Sequence, residues 1–207
     1  IKMIYAIMIG RAGSKGFPGK NTKKIFRKSI CEYPLIAASK SKKVDKIFVS
    51  TDCSKIKKAA KKYNPIYINR PKILANSKAL GDQVFEHAYY EIKKEYPNKI
   101  KYLVLLFANA PLVTTEMINR GISILDKNKK FDSAVSTSIY NMWSPLRARK
   151  LSKDGTLKPF VKFEYFGNPK TLNCDRDSQG NVYFADMSLS IVRPKCLENL
   201  KDGLLPQ

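Results

Sequence analysis

The sequence predicts a three-layer α/β domain built on a mostly parallel sheet. Three observations carry this. Apolar runs of strand length alternate with segments whose apolar residues recur at helical spacing over the first two-thirds of the chain. The run Tyr102 to Phe107 is continuously apolar, as a strand covered on both faces must be. The first apolar run, Met3 to Ile9, leads straight into a glycine-rich basic loop, where open α/β sheets place their ligands.

Ile4 to Ile9 is the first strand. Pro34 to Ser41 reads as a helix with Leu35, Ile36 and Ala38 turned inward. Lys46 to Ser50 is a second strand, and Asp52 or Ser54 can cap a helix through Tyr63 that presents Ile56, Ala59 and Ala60. Ile66 to Ile68 is a short third strand. Residues 81–95 form an amphipathic helix with Val84, Phe85, Ala88, Tyr89 and Ile92 on one side. After the Tyr102 to Phe107 strand, Thr114 starts a helix to about Asp126 whose buried stripe is Met117, Ile118, Gly121, Ile122 and Leu125. Asp132 to Thr137 is a further strand. Residues 140–180 change character: Trp143, Pro145, Pro159, Pro169 and clustered aromatics read as an extended arm, with Trp143, Arg147 and Arg149 better suited to an interface than to a sugar platform. Val182 to Phe184 and Leu189 to Val192 return as strands. The whole of 1–207 is read as one domain that carries this arm, and the end at Gln207 falls in a loop, so the C-terminal end of the fold is expected beyond it.

Composition narrows the function classes. At 207 residues and 43% hydrophobic the chain has material for one substantial core. No run is apolar over the roughly 20 residues a bilayer span needs. Cys31, Cys53, Cys174 and Cys196 form no C-x-x-C pair and only one histidine is present, which speaks against a zinc site and for reduced thiols in a cytoplasmic protein. The formal charge of +22 is large. Its lysines are spread along the chain on solvated helix faces, so the charge is read as a general property of the surface, one that would still help attract anionic small substrates, with nucleic acid the lesser alternative.

The chemistry concentrates in Gly10–Asn21, which packs four glycines, Ser14, Asn21 and the cations Arg11, Lys15 and Lys20 into twelve positions. Glycines allow a close backbone approach, and N–H groups with Lys/Arg side chains suit phosphate oxygens. Neither G-x-x-x-x-G-K-[ST] nor G-x-G-x-x-G occurs. The loop, the Ser50-Thr51-Asp52 turn and Ala108-Asn109-Ala110-Pro111 all follow strands and are expected to converge on one cleft. His87 is read as a structural helix histidine, Asp52 as a cap before a metal ligand, and Cys31 and Cys53 as inert.

Arg11-x-Gly13-Ser14-Lys15-Gly16-x-Pro18-x-Lys20-Asn21 resembles the signature of the acylneuraminate cytidylyltransferase family, with Kdo-type enzymes as more distant relatives. Val49-Ser50-Thr51-Asp52 and Arg70-Pro71-x-x-Leu74-Ala75 match its next two motifs in order. The resemblance is good over roughly the first 125 residues. It implies a Rossmann-like nucleotidyltransferase fold, a homodimer built partly from the arm, Mg²⁺, and transfer of CMP from CTP to an acidic 2-keto sugar. It implies that Arg11, Lys15, Lys20 and Asn21 serve catalysis. Gly10, Ala12, Gly13, Ser14, Gly16, Arg70, Ala79 and Gly81 would bind nucleotide, and Asn109 and Arg176 would meet the sugar. Arg176 also has Asp175 and Asp177 beside it as salt-bridge partners. Two departures stand out. Phe107 replaces the glutamine of the family's Q-P-T-S-P-L-R, and no D-x-D follows Tyr183, which puts the magnesium ligands beyond Gln207. A basic nucleotide- or RNA-binding protein without turnover, or a nucleotidyltransferase for another sugar, are the alternatives.

Overall fold

The computed structural model describes residues 2–13, 16–76, 78–171, 173, 180–198 and 200. In chain order the strands and helices are β1 (Met3–Gly10), β2 (Lys24–Ile25), β3 (Lys28–Ser29), α1 (Glu32–Lys40), β4 (Lys46–Thr51), α2 (Ser54–Ala60), β5 (Ile66–Ile68) and α3 (Gly81–Glu95). They continue with β6 (Ile100–Phe107), α4 (Thr115–Lys127), β7 (Ser133–Ile139), β8 (Arg149–Leu151), β9 (Leu157–Pro159), β10 (Tyr183–Val192) and α5 (Lys195–Glu198).

Period-two alternation along the central strands makes the layers. On β1, Ala6 and Met8 join one core with Leu35 and Ala38 of α1, Ile56 of α2 and Ile118 and Ile122 of α4. Tyr5, Ile7 and Ile9 point the other way, to Val84, Phe85, Ala88 and Ile92 of α3 and Leu197 of α5. Because β1 and β6 are covered on both faces, they read as continuous apolar runs. The six-stranded sheet has the order β5-β4-β1-β6-β10-β7, with β1 parallel to β4 and β6, β4 parallel to β5, and β10 antiparallel to β6. Register pairs Gly10 with Thr51 and Ile9 with Phe107, so three strands end at one level.

Several local expectations change. α1 begins at Glu32, which puts Pro34 in the first turn, where a missing N–H costs nothing. Ala37 is buried where Ile36 was expected, and Ile36 is half-buried. Asp52 does not cap α2: the residue at the cap is Cys53, with no side-chain bond there. Thr114 does cap α4, its hydroxyl accepting from the Met117 N–H. The two C-terminal strands are one, β10, with Met187 at φ +56°.

By internal contacts the chain divides into two units, Ile1–Ser136 with Met187–Gln207, and Thr137–Asp186. The second contains the antiparallel pair β8–β9, turned through Gly155 at φ +82°. Tyr140 stacks on Trp143 at 5.6 Å between ring centres, and Arg149 lies over the Phe163 ring. Trp143 is 70% exposed.

The β2–β3 hairpin that follows Asn21 is anchored by Glu32. Its carboxylate accepts from the Ser29 N–H at 2.8 Å and the Tyr63 hydroxyl at 3.2 Å, and pairs with Lys62. Burial alone would raise the Glu32 carboxyl, but Lys62, the Ser29 N–H and Tyr63 outweigh it and hold it below its usual 4.5. A lowered folded-state value contributes stability that is present above the unfolded value and lost as pH falls through the folded one. The thermal midpoint is therefore expected to fall as pH drops below the usual Glu32 value of 4.5, and Glu32→Gln to flatten that acid limb. Parallel acid limbs for the two proteins would remove Glu32 from this role.

Candidate active site

The ends of β1 and β6 open into a cavity of about 310 Å³. Nine residues singled out in the sequence line it: Gly10, Arg11, Gly16, Lys20, Asn21, Arg70, Ala79, Gly81 and Asn109. Its walls differ in chemistry. Arg11, Lys20 and Arg70 supply its cations, while Ile9, Leu74, Val84 and Phe107 supply its apolar surface.

Close packing selects glycine at two of these positions. A Cβ on Gly10 would lie 2.7 Å from the Ala108 Cβ and 3.0 Å from Ile56 Cδ1, so the turn out of β1 has no room for one. A Cβ on Gly81 would lie 3.1 Å from the Phe107 ring. Phe107 in turn meets Phe85 edge-on at 5.3 Å. The phenylalanine that replaces the expected glutamine is thus a packed element that also faces the cavity.

Arg70 is buried, and Ser50 holds its fork: Nε donates to the Ser50 hydroxyl at 3.2 Å and Nη2 to the Ser50 carbonyl at 2.5 Å. Burial lowers its pKa, the Asp52 carboxylate opposes that, and Arg11 adds to the lowering. The guanidinium stays charged at neutral pH. Asn21 is 7% exposed, and its Nδ2 donates weakly to the Arg11 carbonyl at 3.4 Å. Its Oδ1 is buried with no hydrogen-bond partner. An unpaired buried acceptor costs about 1–3 kcal/mol, which a ligand hydroxyl or amine would relieve.

Other predicted positions fall elsewhere. Ala12, expected among the nucleotide-binding residues, donates its N–H to Asp52 Oδ1 at 3.0 Å. Asp52 therefore tethers the loop where a cap was expected. Ala12 lines a second cavity of about 400 Å³, which shares Arg11 and Asn21 with the first and adds Thr22, Asp52, Ser54 and Lys55. Gly13 is exposed, with open space where a Cβ would point. Ser14, Lys15 and Arg176 lie outside the described residues.

Asn76 was missed. Its Oδ1 accepts from the N–H groups of Lys78 and Ala79 at 2.7 and 3.1 Å, and its Nδ2 donates to the Ile73 carbonyl, shaping the segment that carries Ala79 to the cavity. An asparagine opening a short polar stretch before a helix is the signal that could have found it.

Among the described residues no group of three or more His, Cys, Asp or Glu could hold a metal ion, and no carboxylate lines the first cavity. Among them, too, no helix is long and apolar enough to cross a membrane. Burial, with Glu32 adjacent, pushes the Cys31 thiol up to about 11, which leaves it unreactive at neutral pH.

The chain is similar to proteins of one kind. It is 29% identical over 147 residues to the Helicobacter pylori protein named pseudaminic acid cytidylyltransferase and UDP-2,4-diacetamido-2,4,6-trideoxy-beta-L-altropyranose hydrolase, across 70% of this chain and 28% of that one. It is 29% identical over 183 residues to the N-acylneuraminate cytidylyltransferase of Escherichia coli, across 88% of this chain and 42% of that one. The chain thus spans less than half the length of these relatives. In fold it matches CMP:2-keto-3-deoxy-manno-octonic acid synthetase, solved with CTP, at a TM-score of 0.65 and 14% identity over 96% of this chain and 77% of that one. The family model described as Cytidylyltransferase matches residues 5–193. With its signature loop and nearly its whole length inside that match, this chain belongs to the cytidylyltransferase family.

Proposed function

We propose that this protein transfers CMP from CTP to the anomeric hydroxyl of an acidic 2-keto sugar, a sialic-acid-like nonulosonate, with release of pyrophosphate. The observation that carries the reading is one cavity lined by nine of the residues that the family resemblance nominates, three of them the cations Arg11, Lys20 and Arg70. In this reaction the hydroxyl oxygen attacks the α-phosphorus, the bond from that phosphorus to the bridging oxygen of pyrophosphate breaks in line, and the hydroxyl proton passes to solvent. Such a transfer depends on positioning and on neutralising charge. Arg11 and Lys20, with Lys15, hold the triphosphate. Arg70, Ala79 and Gly81 hold the cytosine and ribose, with Phe107 and Val84 beneath. Asn21 Oδ1 accepts from a ligand O–H or N–H. Asn109 and Arg176 take the sugar, a guanidinium fork matching its carboxylate.

Magnesium is implied by the family resemblance. The described residues do not fit it, since a hard cation wants carboxylate oxygens and the cavity lining has none; no step here runs through it. The relatives named for nonulosonates support the sugar class. The exposed aromatics of the second unit, Trp143, Phe160 and Tyr165 among them, support a homodimer, which sedimentation equilibrium tests; a monomer at micromolar concentration would end that part.

The deciding experiment is pyrophosphate release from CTP, with UTP, ATP and GTP beside it, using pseudaminate, legionaminate, neuraminate and Kdo as acceptors and Mg²⁺ present. Release with CTP and one acidic sugar is expected. The formal charge of +22 supports a second reading, a basic protein that binds a nucleotide or RNA without turnover. CTP binding with no release from any acceptor would select it.

A further inference from the structure

The β2–β3 hairpin carries a feature that the proposed reaction does not use. Its two-residue turn is Phe26-Arg27, with φ +46° and +68°. Positive φ at both central residues is the geometry of a primed hairpin turn, for which Asn and Gly are the usual residues. A bulky side chain there is strained. Among the described residues no burial of the side chain offsets that strain, because Phe26 is 89% exposed and Ile25 beside it 40% exposed. The hairpin itself is firmly built: Lys24 pairs with Ser29 and Ile25 with Lys28, the Tyr33 hydroxyl donates to the Ile25 carbonyl, and the Ile30 N–H donates to the Lys23 carbonyl at 2.9 Å. It therefore holds an aromatic ring outward on a fixed support.

Charge surrounds that ring. From Gly10 to Cys31 the chain has seven Lys and Arg and no Asp or Glu. Lys24, Arg27 and Lys28 flank the tip and are exposed, and Lys23 sits over the ring of Phe17, itself 54% exposed. Apolar side chains at a convex apex with cations around their base match a layered surface, anionic outside and apolar beneath. A nucleic-acid strand asks for a different form, a basic groove that tracks the backbone with ring faces as platforms.

We propose that this hairpin docks the protein on an anionic lipid surface, with Phe26 entering the headgroup layer while Lys23, Lys24, Arg27 and Lys28 meet lipid phosphates. The site cavity begins at Lys20 and Asn21 of the same segment, so docking would leave the cavity close to that surface.

The test uses the full chain with vesicles of phosphatidylglycerol and phosphatidylcholine, and of phosphatidylcholine alone. Co-sedimentation only with the anionic vesicles is expected, and Phe26→Asn should weaken it about tenfold by removing the inserted ring. Because asparagine tolerates positive φ, that variant should melt no lower than wild type, so lost binding cannot be a folding failure. Phe26→Trp in a Trp143→Phe background should shift its emission to the blue on anionic vesicles. Equal vesicle affinity for wild type and Phe26→Asn would overturn the proposal, since the net charge alone would then account for binding. An indole that responds to a single-stranded RNA oligonucleotide and not to vesicles would overturn it as well.

Discussion

Lys20→Ala is expected to lower kcat/KM for CTP by about 10- to 150-fold, the range set by losing one charge-assisted contact of about 1.5–3 kcal/mol. Lys20 stands on the cavity wall at the start of the Lys20–Thr22 turn. Its backbone, whose N–H donates to the Phe17 carbonyl at 3.2 Å, needs no side chain to hold that turn. The thermal midpoint of the variant should therefore stay close to wild type, as surface substitutions away from special features usually do. Lys20→Arg should recover part of the loss, because charge is retained while the head changes shape. Steady-state pyrophosphate release and a melting curve on the same preparations check this. Unchanged kinetics would remove Lys20 from the triphosphate site.

Arg70→Ala is expected to fail differently, in stability as well as in binding. Arg70 is a buried cation with two donors committed to Ser50, which is itself fully buried. Truncation leaves a hole, deprives Ser50 of its partner and removes the positive neighbour of Asp52. A loss of about 2–3 kcal/mol follows from hydrogen bonds to a charged group, or roughly 5–10 °C in melting temperature for a chain of this size. Asp52 also tethers Ala12, so the signature loop should loosen and CTP binding should fall with it. Arg70→Lys should not restore stability, since an ammonium cannot reproduce the fork. A wild-type melting temperature for Arg70→Ala would refute this account.

The two substitutions separate what each stage of inference could reach. Lys20 was visible in the sequence because its role depends on a local run of glycines and cations. The tether from Asp52 to Ala12 was not, because it joins residues 40 apart through a strand register that no local pattern encodes. Helices α3 and α4 were legible because each has one apolar stripe. Helix α1 was less so: seven of its nine residues are buried or half-buried, so no single apolar stripe separates Ile36 from Ala37. The single strand β10 read as two because its first half is exposed and its second largely buried, which breaks the periodicity a sequence reading follows. Phe107 was noticed as a departure, yet its fit against Gly81 and Phe85 emerges only from packing.

By itself, the sequence determined the α/β alternation, the cationic glycine loop after the first strand and the order of motifs that makes the family recognisable. These are properties of neighbours along the chain. The tertiary structure decided that Gly10, Arg70, Gly81 and Asn109 share one cavity with Lys20 and Asn21, and that Ser50 and Asp52 hold its walls in place. The physical reason is the parallel register of β1 with β4 and β6, which brings three strand ends to one level and turns distant segments into facing walls.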